Sequence, residues 1–202
     1  MNQPAKSINA SAPQPARAAA RAGTAVRKPF CGLIDPILVN EPVPFTLSGS
    51  VSIEAAQAAF PEWSQLPFSK RAHYLHKAAE IWEKRRMEIV EAIQAEGGGW
   101  FGKGMFETGY VTEVFHAAAA SVWQSTGEVM PSEYGKVSMA VRRPMGVVSI
   151  VSPWNFPCIL SARGFLFPLA AGNTIVLKPS EETPYLGGLL FAEVFEEAGL
   201  PK

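Results

Sequence analysis

Apolar positions recur every three to four residues through the middle of this 202-residue chain and run almost unbroken in short stretches near its end, which predicts helices followed by strands. After Ser69, the residues Ala72, Leu75, Ala79 and Trp82 fall on one helical face, and Ile89, Val90 and Ile93 continue the stripe. Arg85 and Arg86 between the two runs predict a bend or break, and Gly97-Gly98-Gly99 closes the stretch. A second helix is predicted over residues 105–124, where Phe115, Ala118 and Val122 share a face. Pro131, Gly135 and the alternation Lys136-Val137-Ser138-Met139-Ala140-Val141 then predict a hairpin or edge strand.

The last sixty residues read as strand, helix, strand, helix. Val147-Val148-Ser149-Ile150-Val151 is a β-branched run closed by Ser152-Pro153, suited to a strand buried on both faces. A helix is predicted from Pro157 to the Gly172-Asn173 pair, because proline fits a first helical turn and glycine a helix end. Thr174-Ile175-Val176-Leu177 is the second strand, ended by Pro179. Thr183 is the expected N-cap of the last helix, with Pro184 at its first position and Gly199 at its close. Leu186, Leu190, Phe191, Val194, Phe195 and Ala198 line its apolar face. The fold class is therefore α/β.

Successive parallel strands joined by a helix end on the same edge of a sheet, where open α/β folds bind ligands. Asn155 and Lys178, at the two strand exits, are expected near one another. Taken alone, Asn155 reads as a turn asparagine capping the next helix, and Lys178 as a lysine reaching for water from the end of an apolar strand.

Five blocks in order change that reading: Pro144-x-Gly146-Val147-Val148, Pro153-Trp154-Asn155-Phe156-Pro157, Ala170-Ala171-Gly172-Asn173-Thr174, Lys178-Pro179-Ser180-Glu181 and Ala198-Gly199-Leu200-Pro201. Together they resemble the start of the coenzyme domain of the aldehyde dehydrogenase superfamily, and a weaker likeness reaches upstream to about Ile53. The resemblance implies an incomplete Rossmann-like coenzyme domain (βαβα) preceded by a helical region and a β-hairpin arm. In such enzymes a thiolate adds to an aldehyde carbonyl, hydride leaves to the nicotinamide coenzyme, and water releases the acid. The resemblance gives Asn155 the role of oxyanion donor. It gives Lys178, Ser180 and Glu181 the adenosine ribose of the coenzyme, and Ile150, Val151, Ser152 and Trp154 the wall along it. A carboxylate at Glu181 favours NAD over NADP, whose 2′-phosphate would meet like charge. Glu182 beside it is read as a solvated residue.

Many members carry a lysine where this chain has Gly164. The stretch Ser161-Ala162-Arg163-Gly164 looks more like members that oxidise aromatic aldehydes of the benzaldehyde or vanillin type. The family's second Gly-containing turn, general base and cysteine nucleophile lie downstream of the last matched block, so an N-terminal portion lacking nucleophile and base is expected. The alternative is a non-catalytic fragment or interaction remnant that pairs with a full-length relative. Two parallel strands are also few for a sheet of about five strands. The expected divisions are a disordered tail over 1–30, a mainly helical region over 31–127, an oligomerisation arm over 128–143 and the first βαβα part of the coenzyme domain over 144–202. The arm implies a homodimer or a higher homo-oligomer of the complete protein.

Composition removes other classes. Hydrophobic residues make up 48% and charged residues 18%, which calls for a substantial core. Charge balances at 18 basic and 18 acidic residues, but residues 1–30 hold five basic residues and no acid, leaving 13 against 18 elsewhere. That is no surface for nucleic acid. No apolar run approaches the ~20 residues that cross a bilayer, and no signal-peptide core is present, so a cytoplasmic setting is expected.

The remaining candidates carry no expected chemistry. Cys158 matches an apolar helical position, and Cys31 has no motif around it. His73 and His76 stand three apart on a helix with no cysteine or carboxylate completing a metal set, and His116 adjoins an apolar face. Trp100, Phe101, Phe106, Tyr110 and Phe115 are expected mostly in core packing.

Overall fold

The computed structural model describes residues 45–201, with side chains from residue 52 onward. The expected tail over 1–30 and Cys31 lie outside the described residues. In chain order the elements are α1 (Phe45–Gln65), α2 (Phe68–Lys84), α3 (Arg86–Gly97), α4 (Phe101–Ser121), β1 (Gly127–Met130), β2 (Ser138–Val141), β3 (Val147–Val151), α5 (Pro157–Ala170), β4 (Thr174–Lys178) and α6 (Leu190–Ala198). A wide π-type turn, Tyr185–Leu189, leads into α6. The α/β class and the strand-helix order are as expected.

The break between α2 and α3 falls at Arg85, where the two arginines stand. The helix α1 was not foreseen, because Pro61 lies inside it and its opening stretch is rich in Thr, Ser and Gly. Gly172 (φ 100°) and Gly199 (φ 78°) end α5 and α6 in the left-handed region that other residues avoid.

One continuous core joins the helices to the sheet. Trp82 stacks on Phe191 with ring centroids 5.0 Å apart, and Phe165 meets Phe191 edge-on at 5.1 Å. Both buried indoles keep a partner: Trp63 Nε1 donates to the Leu169 carbonyl at 3.0 Å and Trp82 Nε1 to that of Thr108 at 3.1 Å. Asn173 ties the segment entering β3 to the end of α5. Its Oδ1 accepts from the Met145 and Gly146 N–H groups and its Nδ2 donates to Pro168.

β1 and β2 pair antiparallel as the expected hairpin, with Val129, Val137, Met139 and Val141 exposed. β3 and β4 pair in parallel, Val147 opposite Thr174 through Val151 opposite Lys178. Paired residues in parallel strands share a face, so Val148 and Ile150 lie with Ile175 and Leu177, while Ser149 and Val151 lie with Val176 and Lys178. The first face meets α5. A Cβ on Gly164 would come within 2.8 Å of Ile150 Cγ2, so only glycine lets α5 lie this close to β3.

Three expectations need correction. β3 is not buried on both faces, since Ser149 is exposed and Val151 keeps 73% of its surface. Helix α5 covers its Ile150 side, while on the other side α1 reaches only the start of the sheet, where Thr174 Oγ1 donates to the Ala56 carbonyl at 2.8 Å, and leaves Ser149 and Val151 bare. Trp100, Phe101, Phe106 and Tyr110 are exposed, and only Phe115 enters the core. On α4 the side carrying Val111, Phe115 and Ala118 packs inward, which turns Phe106 and Tyr110, four residues apart, outward. Thr183 caps nothing. Its hydroxyl is buried without a hydrogen-bond partner, and the Glu96 carboxylate on α3 takes the Tyr185 and Leu186 N–H groups instead, each at 2.9 Å.

Candidate functional site

The parallel register brings the ends of β3 and β4 side by side, with Val151 level with Lys178 and the Ser152 N–H donating to the Lys178 carbonyl at 3.0 Å. Everything expected to act therefore leaves the sheet at one edge. Lys178 is partly exposed, and its Nζ stands 4.0 Å from Glu181 Oε2. Glu181 projects into solvent with 79% of its side chain accessible, leaving it free to accept from an incoming hydroxyl. Ser180 turns the chain between them, its Oγ accepting the Glu182 N–H at 3.3 Å. Glu182 is exposed, as expected of a solvated residue.

Along the β3 exit, Ile150 is half-buried, Val151 and Trp154 are open to solvent, and Ser152 is buried. Ser152 Oγ lies 2.7 Å from Ser161 Oγ, which lies 2.7 Å from the Gly187 carbonyl. A hydroxyl carries one hydrogen, so Ser161 donates to the carbonyl and Ser152 donates to Ser161. This buried chain joins the β3 exit to α5 and to the turn before α6. Ser152 is thus fixed in place as a structural hydroxyl.

Asn155 is exposed in the bend between β3 and α5, and its side chain makes no hydrogen bond among the described residues. It does not cap α5. That helix opens on Pro157, and the cap comes from α4: Glu107 Oε1 accepts the Cys158 N–H at 2.8 Å and the Ile159 N–H at 3.3 Å. The carboxylate is fully buried, balanced by the Lys103 ammonium at 3.0 Å from its other oxygen and by the positive end of α5. Lys103 also lies 4.9 Å from the centre of the Phe156 ring. The Trp154-to-Pro157 bend is therefore clamped from outside the sheet. Sequence reasoning missed Glu107, Lys103 and Glu96. Lys103 and Glu107 do stand four apart on a helix, the one local hint of a pair.

Cys158 is fully buried, its thiol directed at the Leu186 carbonyl 3.5 Å away. Burial, with the Glu107 carboxylate beside it, pushes the thiol well above its ordinary range. A protonated, enclosed sulfur cannot attack a carbonyl.

The structure is thus an α/β chain whose β-α-β crossover gathers polar residues on one rim of a parallel sheet. The model of the aldehyde dehydrogenase family matches residues 50–202, and the chain belongs to that family. It is 39% identical over 151 residues to the benzaldehyde dehydrogenase (NAD(+)) of Pseudomonas putida, covering 74% of this chain and 31% of that protein. A vanillin dehydrogenase of an Amycolatopsis species is 39% identical over 163 residues, 81% of this chain and 33% of its own length. Among solved structures, an NAD-dependent benzaldehyde dehydrogenase from Corynebacterium glutamicum superposes with a TM-score of 0.72 at 38% identity, covering 75% of this chain and 33% of the other. PnpE in complex with nicotinamide adenine dinucleotide gives 0.74 at 33% identity, over 77% and 32%. The chain thus spans about a third of the length of these relatives.

Proposed function

We propose that the whole protein is an NAD-dependent aldehyde dehydrogenase oxidising an aromatic aldehyde of the benzaldehyde or vanillin class to its acid. This chain supplies the oxyanion donor and the first part of the coenzyme seat. One observation carries the reading: Val151 and Lys178 are level in adjacent parallel strands, which sets the Asn155 bend and the Lys178-Ser180-Glu181 turn on one rim. Relatives named for benzaldehyde and vanillin support the substrate class.

The rim suits the coenzyme. Lys178 offers a donor and Glu181 an acceptor about one hydroxyl's width apart, both reachable from solvent. When bound, NAD would accept the hydride. Residues 144–202 are then the first βαβα part of a Rossmann-like domain, with Lys178, Ser180 and Glu181 on the adenosine ribose, Val151 and Trp154 facing the coenzyme, and Ile150 and Ser152 backing that wall from beneath. Asn155 would donate its amide N–H to the oxygen on which charge develops, and the Glu107 clamp keeps the bend carrying it in place. Cys158 takes no part, so the nucleophilic thiolate is another residue of the whole protein. Helices α1 to α4, within the region 31–127, form the supporting lobe, and the hairpin over 128–143 pairs with a neighbouring subunit. No helix among the described residues is long and apolar enough to cross a membrane, and we place the protein in the cytoplasm.

The test titrates NAD and NADP into this chain while following tryptophan fluorescence. NAD should bind the more tightly, Lys178→Ala should weaken it about tenfold, the worth of one charged hydrogen bond, and Glu181→Gln should narrow the preference over NADP. Equal affinity for both coenzymes, unchanged by either substitution, would refute the seat. Aldehyde-dependent NADH formation by the whole protein tests the reaction itself.

A further inference from the structure

His76 on α2 and His116 on α4 are 40 residues apart in sequence, yet their Nδ1 atoms lie 3.2 Å from each other on the outer seam between the two helices. Ring centroids are 5.4 Å apart with the planes inclined at 36°. The helices run antiparallel here, since Trp82 meets Thr108, His76 meets His116 and Phe68 meets Trp123. The seam is pinned on both sides of the histidines. On one side Trp82 donates to the Thr108 carbonyl at 3.1 Å, and on the other the Phe68 and Trp123 rings pack edge-on at 4.8 Å. Packed helices therefore fix the backbone positions from which the two imidazoles reach each other.

We propose that His76 and His116 form a two-imidazole site for an imidazole-preferring first-row divalent cation such as Zn²⁺, with water completing the coordination. Zn–N bonds of about 2.0–2.1 Å at a tetrahedral angle put two ligand nitrogens about 3.3 Å apart, close to the separation seen here. Imidazole is the ligand that suits zinc, copper and nickel. In the neutral pair one ring donates its Nδ1–H to the Nδ1 of the other, whose own proton is then on Nε2. Cation binding needs both Nδ1 lone pairs. The donating ring shifts its proton to Nε2 through solvent, so the neutral pair releases no net proton. Both side chains are exposed, which leaves the cation a path in and room for its waters.

His73, three residues before His76, is not part of the site, for its ring lies against Tyr74 at 6.2 Å. Among the described residues no group of three or more His, Cys, Asp or Glu gathers to hold a metal. With two protein ligands the cation is exchangeable, and it clips α2 to α4 only in the folded chain. Unfolding separates the two ligands by the intervening helices and ends the binding.

Titrating Zn²⁺ into this chain by calorimetry tests the site, with helical circular dichroism recorded for every variant. Wild type should bind one equivalent and unfold at a higher temperature with the cation present. His76→Ala and His116→Ala should each weaken binding ~10-fold or more, since even loss of an outer-shell partner costs that much. His73→Ala should bind as wild type does. No saturable binding, or affinity unchanged in either single variant at undiminished helicity, overturns the proposal. So does loss in His73→Ala with retention in His116→Ala, which would move the site onto one face of α2.

Discussion

Glu107 Oε1 accepts the backbone N–H of Cys158, 51 residues further along the chain, at 2.8 Å. Proline opens α5 and no side chain of that helix's own caps it, so a buried carboxylate from α4 closes its positive end. The same residue binds Lys103, and Lys103 lies over Phe156. Replacing Glu107 with alanine leaves two buried N–H groups and an ammonium without their acceptor. Glu107→Ala should lower stability by about 2 kcal/mol in urea unfolding, and Glu107→Gln, which keeps one oxygen, by less.

Cys158 should stay silent to thiol reagents in the native chain and react at once in denaturant. Its thiol is held above the ordinary value near 9.0, first by burial and then by Glu107. The sign follows: native and unfolded chains both hold the proton below about pH 9, and above it only the native chain does. Stability contributed by the protonated thiol is present at neutral pH and lost as pH rises beyond that point. Urea midpoints from pH 7 to 10 should fall faster in wild type than in Cys158→Ala.

Gly164 and Ile150 should be energetically coupled. Gly164→Ala adds a methyl 2.8 Å from Ile150 Cγ2, and overpacking of about 1–3 kcal/mol exceeds the ~1 kcal/mol gained in helix propensity. In Ile150→Ala the methyl has room. A double-mutant cycle should show a coupling of at least about 0.5 kcal/mol, and strict additivity would contradict the contact.

If Asn155 serves as the oxyanion donor, Asn155→Ala in the whole protein should lower kcat by ~10²–10³ with NAD affinity unchanged. Stability should hardly move, because the exposed amide supports nothing in the fold. Steady-state kinetics beside a thermal melt separates the two effects.

The hairpin offers bare apolar side chains at Val129, Val137, Met139 and Val141. Removing residues 128–141 from the whole protein should shift its mass by light scattering toward the monomer. An unchanged oligomer would deny the hairpin its role.

Much of the architecture was legible where local chemistry is strong. The β-branched runs of β3 and β4, the glycines closing α5 and α6, and the arginine pair between α2 and α3 each carry their meaning within a few residues. What stayed hidden depends on distant partners. Thr183 had the form of a cap, but Glu96 arrives from α3 with two oxygens and takes both N–H groups. Glu107 gave no sign of reaching α5, and His76 showed its neighbour His73 rather than its true companion His116. Whether β3 is covered depends on which helices pack against its two faces, which no single strand encodes. The rim residues were proposed from their motif, while the Glu107 clamp behind them became visible only in three dimensions.

The belt of aromatic rings along α4 bears on how this polypeptide can be kept in solution. Phe106 sits beside Tyr110 and edge-on to Phe156, and Trp100 and Phe101 stand equally bare at the start of the helix. Water tolerates such a strip poorly, which makes it a surface through which copies can associate as concentration rises. Dilution, or a mild detergent that shields the rings, should then lower the apparent mass in light scattering.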